Sequence, residues 1–166
     1  MEALHKFRDI LMKILGYLIT LLFVFMTLIG TYQIVTRYFL NKPSTVSEEL
    51  LTYTFTWMAL LSSAYVFGKR DHMRMGFMAD KIRGIPRKAL EIAIDLLTFL
   101  FAAVVMVYGG IAITKLTMIQ ITASLQVPMG YIYLIIPISG ILIMIFSIVN
   151  AFDMLHTDFD EKEEIV

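Results

Sequence analysis

The chain has 166 residues, with 14 basic and 14 acidic side chains, 58% hydrophobic residues, 17% charged residues and no cysteine. A water-soluble domain of this size could not cover so much apolar surface, so residence in a membrane is expected. The balanced charge leaves no overall field to recruit nucleic acid, and the missing cysteines exclude disulfides, thiolate metal sites and a cysteine nucleophile.

In chain order, the first feature is Lys6, Arg8 and Lys13 ahead of an uncharged run at residues 14–35. A signal peptide has the same layout, but this run is roughly twice an ordinary h-region and lacks a small-residue cleavage site, so a retained first span is expected. Its length, about 22 residues, suffices at about 1.5 Å each to cross a hydrocarbon core of about 30 Å. Arg37 closes it. In the turn that follows, Thr45 with Glu48 fits a capping box and Ser47 is an alternative N-cap. Glu48 and Glu49 then sit where a helix N-terminus favours negative charge. If the first two helices are antiparallel neighbours, Arg37 reaches those glutamates. An ion pair from Arg37 to Glu48 or Glu49 is expected, with snorkelling to lipid head groups as the alternative.

The second uncharged run covers residues 50–67 and is bounded by Glu48 and Glu49 on one side and Lys69 and Arg70 on the other. Tyr53 and Trp57 in its outer part suit interface anchoring, and an aromatic binding box is the alternative. The following loop alternates cations, among them Lys69, Arg70, Arg74, Lys81 and Arg83, and the neighbouring His72, with Met75, Met78 and Ile82. That pattern predicts a short interfacial helix whose basic residues either contact anionic lipid or only set topology. Pro86 fits the start of the third helix.

The third span begins near Ala89, is charge-free at 96–114 and ends at Lys115, with Glu91 and Asp95 near the interface. Ala102 and Gly109, and one position along Ala103 and Gly110, lie seven residues apart and predict a close-packing stripe. No charge occurs at 116–152, and Pro128 and Gly130 punctuate the stretch before a fourth span, which Pro137 is expected to kink. The spans are thus about 14–36, 48–67, 89–115 and 131–152. They form an all-α integral membrane protein with one four-span domain over residues 1–166 and an acidic cytoplasmic tail at 153–166. Eleven of the 14 Lys and Arg residues fall on one side, which puts both termini and the central loop in the cytoplasm.

Ionisable groups at mid-span are the usual mark of a carrier site, and none occurs here. Gln33, Ser62, Ser63 and Ser139 are expected to close helix contacts rather than bind a solute. The three histidines, His5, His72 and His156, fall at the cytoplasmic face, and no phosphate loop, metal-spaced cluster or nucleophile with a base is present. No enzyme activity is expected. A self-sufficient homodimeric carrier and a membrane anchor for a redox enzyme remain as alternatives. The first would be favoured by a glutamate in the first span, the second by axial ligands within helices.

The order QIVTRYFLN at 33–41, Ser47-Glu48-Glu49-Leu50, Trp57, then Arg70 and His72 resembles the small membrane subunit of tripartite ATP-independent periplasmic transporters. The turn at Ile85, Pro86 and Arg87 and Pro137 in the last helix extend the resemblance over nearly the whole chain. Thr45 and Val46 stand near where that family often has a tryptophan, and Leu61-Ser62 where it has Leu-Gly. The resemblance implies a scaffold in the bacterial inner membrane that assembles with a large multi-span subunit and helps dock a periplasmic binding protein. The cargo implied is an organic anion such as a dicarboxylate, a sialic acid or another sugar acid. Sodium ions are expected in the large subunit, and no cofactor in this chain. Arg37, Glu48 and Glu49 are then assigned to the outer helix junction, and Trp57, Ala103, Gly110 and Pro137 to helix packing and assembly.

Overall fold

The structure, a computed structural model, describes residues 2–69 and 85–156, and its described elements are helices apart from one isolated bridge. Helix α1 spans Glu2–Tyr38 and α2 spans Thr45–Lys69. The third rod comprises α3 at Ile85–Phe101, a π-helical tract at Ala102–Gly109 and α4 at Gly110–Thr117. The fourth comprises α5 at Met129–Tyr133 and α6 at Ile135–His156. Among the described residues, four helices are long and apolar enough to cross a membrane: Lys6–Tyr38, Thr45–Lys69, Ile92–Thr117 and Met129–Ala151. The expected interfacial helix, with Arg70, His72, Arg74, Lys81 and Arg83, lies outside the described residues, as does the tail beyond His156.

The turn after α1 is set by Asn41, whose φ of 49° is a left-handed conformation that asparagine tolerates better than most side chains. It lets the Lys42 N–H donate to the Thr36 carbonyl at 3.0 Å. Neither Thr45 nor Ser47 caps α2. Ser44 does: its hydroxyl accepts from the Ser47 N–H at 3.4 Å, its carbonyl accepts from the Ser47 hydroxyl at 2.8 Å and from the Glu48 N–H at 3.3 Å. The first turn therefore starts at Thr45, one residue after the cap; the orphan N–H of Ser47 is satisfied by the cap side chain, and the Glu48 N–H makes the first regular helical bond.

Successive spans run antiparallel and pack in the order α1, α2, α6, third rod, with α6 between α2 and the third rod. The burial follows this order. In the most apolar window of each span, 44% of the fourth is buried within the chain but 6% of the first. Leu15, Leu61, Ile135 and Phe146 form one core cluster, and Ala64, Ala102 and Ile143 a second that joins α2, the third rod and α6. One end of the molecule thus holds the start of α1 and the end of α6, and the other holds the α1–α2 turn and the loop at 118–128.

The third and fourth rods approach closely where side chains are missing. A Cβ on Gly110 would lie 2.9 Å from Pro137 Cδ and 3.0 Å from Ile136 Cγ2, and one on Gly140 would lie 2.7 Å from Met106 Cβ. The predicted stripe is altered. Ala102 is fully buried and Ala103 is only half-buried, because the wider turn of the π tract puts Ala102 and Gly110, rather than residues seven apart, against α6. The kink expected at Pro137 takes the form of a break at Leu134, between α5 and α6. Pro137 has no N–H for the carbonyl of Tyr133 one turn earlier, and the bonds from Leu134 N to Gly130 O at 3.0 Å and from Ile138 N to Leu134 O at 3.3 Å carry the chain across.

Candidate functional site: a clasp between the second helix and the outer loop

Residues Glu49, Tyr53 and Trp57 recur every four positions along α2 and so share one face. On that face Glu49 holds the segment that joins the third and fourth rods, Tyr53 braces Glu49, and Trp57 holds α5. Glu49 Oε2 accepts the backbone N–H groups of Ser124 at 2.9 Å and Leu125 at 2.8 Å, and Oε1 accepts the Tyr53 hydroxyl at 2.6 Å. One turn deeper, the Trp57 indole N–H donates to the Ile132 carbonyl at 3.1 Å. Two adjacent backbone N–H groups aimed at one carboxylate oxygen make an anion nest, here filled by the protein's own side chain.

The loop is shaped to present that nest. Thr122 and Val127 pair through the Thr122 N–H and Val127 carbonyl at 3.0 Å, and the buried Thr122 hydroxyl accepts the Val127 N–H at 3.1 Å. The Met129 N–H closes the base on the Gln120 carbonyl at 2.8 Å. Gln126, at φ 55°, reverses the chain and donates its side-chain amide to the Ala123 carbonyl at 2.9 Å. Met118 and the Thr114 carbonyl crowd Gly130, where a Cβ would come within 2.7 Å of each. The segment is a packed clasp rather than a loose connection.

The expected Arg37 bridge is not formed. Arg37 and Glu48 are exposed and make no ion pair among the described residues. For Glu49 the helix face explains why: α1 meets α2 along Leu51 and Tyr65, which approach Gly30 and Gly16 of α1. Glu49 lies two residues from Leu51, about 160° around the helix at 3.6 residues per turn, and so points to the loop instead. Trp57 packs beside the core cluster of Leu15 and Leu61. Lys69 stands at the terminal end, its ammonium 4.9 Å from the Tyr65 ring centroid.

Polar groups in the spans are largely consumed by the backbone. Thr54 donates to the Leu50 carbonyl, Thr117 to Ile113 and Ser139 to Ile136, each at 2.8–2.9 Å within its own helix. Asn150 reaches across instead, and its amide donates to the Phe67 carbonyl at 3.1 Å, tying α6 to α2 at the terminal end. Neither this tie nor the Ser124 and Leu125 contacts carried a sequence signal, since the acceptor or donors are backbone atoms. The four-residue spacing of Glu49, Tyr53 and Trp57 was the one available clue.

Among known families, the model of the tripartite ATP-independent periplasmic transporters, DctQ component, matches residues 26–157. The sialic acid TRAP transporter small permease protein of Vibrio cholerae is 32% identical over 79 residues, which cover 48% of this chain and 46% of that protein. The match therefore spans about half the length of this relative. A protein of Haemophilus influenzae that carries the name of a TRAP transporter small permease protein is 23% identical over 131 residues, 79% of this chain and 81% of that one.

Proposed function

We propose that this chain, which belongs to the DctQ component family of tripartite ATP-independent periplasmic (TRAP) transporters, is the scaffold on which a larger transport subunit assembles. It is a multi-pass membrane component of a transporter, not an enzyme. In the proposed complex the large subunit holds the solute and the coupling sodium ions, this chain carries no cofactor, and a periplasmic binding protein docks at the loop end. The cargo is an organic anion: a dicarboxylate, a sialic acid or another sugar acid. Sialic acid is the substrate named for the Vibrio cholerae relative. The membrane is the bacterial inner membrane, with the termini in the cytoplasm, because the basic residues gather at that end.

The observation that carries this reading is the chemistry of the spans. They offer an anion no cation at mid-depth, and the hydroxyls of Thr54, Thr117 and Ser139 are engaged by their own helices. A charged solute in hydrocarbon needs compensating groups. The clasp supports the scaffold role, since it fixes the outer loop on α2 before any partner arrives. The test is uptake of labelled organic anions, sialic acid among them, into proteoliposomes under an inward sodium gradient. Uptake is expected when this chain, the large subunit and the binding protein are all present. Uptake by vesicles holding this chain without the large subunit would overturn the reading, as would full uptake without this chain.

A further inference from the structure

At the terminal end, α1 and α2 part to leave a groove of about 710 Å³ whose lining includes Arg8, Lys13, Tyr17, Thr20, Tyr65 and Lys69. That volume lies within the range of small-ligand sites, roughly 300–1,000 Å³. Three cations and one carboxylate, Asp9, line it. Asp9 Oδ1 lies 3.8 Å from Arg8 Nε, whereas Lys13 and Lys69 make no ion pair among the described residues. The groove thus carries surplus positive charge.

Its depth distinguishes it from a simple basic rim. The uncharged run of α1 starts immediately after Lys13, so Tyr17 and Thr20 lie one and two turns inside it. Gly16 lies against Tyr65, where a Cβ would stand in ordinary van der Waals contact with Cε2 at 3.7 Å. The Thr20 hydroxyl donates to the Gly16 carbonyl at 2.8 Å and keeps lone pairs to accept a further bond. From Tyr17 the same helix face continues through Leu21, Val24 and Leu28, exposed by 65%, 52% and 65%. A cationic mouth, hydroxyls below it and an apolar track beyond run in the order of a phospholipid's own parts.

We propose that this groove holds an anionic phospholipid of the adjoining leaflet, its phosphate between Lys13 and Lys69 and an acyl chain along Tyr17, Leu21, Val24 and Leu28. A free phosphate would fill the mouth alone and leave the track unused. The site is independent of the proposed cargo, which it does not touch. Native mass spectrometry of the full chain, released from detergent after exposure to phosphatidylglycerol or phosphatidylcholine, tests it. Phosphatidylglycerol is expected to remain bound in preference to phosphatidylcholine, and inorganic phosphate at millimolar concentration is expected not to displace it. Each Lys or Arg near an anionic lipid surface strengthens attachment about fivefold, so Lys13→Gln with Lys69→Gln should weaken binding about 25-fold. Lys69→Gln alone, at the exposed last residue of α2, should weaken it about fivefold. Lys13→Arg with Lys69→Arg should retain the lipid, as should Lys115→Gln at the opposite end. Equal binding by the wild type and the glutamine variants, no preference for phosphatidylglycerol, or displacement by phosphate would overturn the proposal.

Discussion

Both carboxylate oxygens of Glu49 are taken by the protein's own donors, so its charge organises the loop rather than facing a ligand. Replacing Glu49 with alanine should strand the N–H groups of Ser124 and Leu125, and amide exchange at those two residues should quicken while the α6 core around Phe146 stays protected. Glu49→Gln keeps one acceptor oxygen and should fall between the two. Trp57→Phe keeps an aromatic ring but loses part of the indole's packing and the bond to the Ile132 carbonyl, the bond alone costing about 0.5–1.5 kcal/mol, readable by thermal unfolding in detergent. Arg37→Gln should leave that midpoint unchanged, because Arg37 is exposed and unpaired among the described residues. The sequence singled out Glu49, Trp57 and Arg37 but misjudged the pairing. An arginine nearby in the chain is conspicuous, whereas two backbone N–H groups 75 and 76 residues away have no side-chain signature.

Adjacent glycines of the third rod make a sharper test of packing between elements. A Cβ on Gly110 would meet Pro137 Cδ at 2.9 Å, whereas one on Gly109 would meet only the Val104 carbonyl at an ordinary 3.7 Å. Gly110→Ala should therefore cost about 1–3 kcal/mol through overpacking. Gly109→Ala should be tolerated, and the pair can be compared by the same unfolding measurement. Small residues at a seven-residue interval flagged this surface in the sequence. The flag presumed 3.6 residues per turn, and the π tract at Ala102–Gly109 changes which of them meet α6. Pro137 was expected to kink the helix locally; the bond it lacks belongs to the carbonyl a turn earlier, and the helix break falls at Leu134.

For the whole molecule, the four helices were legible because charge is excluded from long stretches and returns at each boundary, a pattern fixed by the solvent rather than by contacts. The packing order was not legible. Nothing in hydropathy tells the central helix from a peripheral one: the first and fourth spans have mean hydropathies of 2.2 and 2.6, yet 6% and 44% of their windows are buried. That asymmetry leaves the apolar length of α1, including Leu21, Phe23 and Leu28, exposed on the isolated chain. It is the state expected of a scaffold awaiting lipid and a larger partner. The most direct test is affinity purification of the tagged chain from its native membrane in mild detergent. A large polytopic membrane protein should co-elute in equimolar amount. Elution of the chain by itself, or only with further copies of itself, would contradict it.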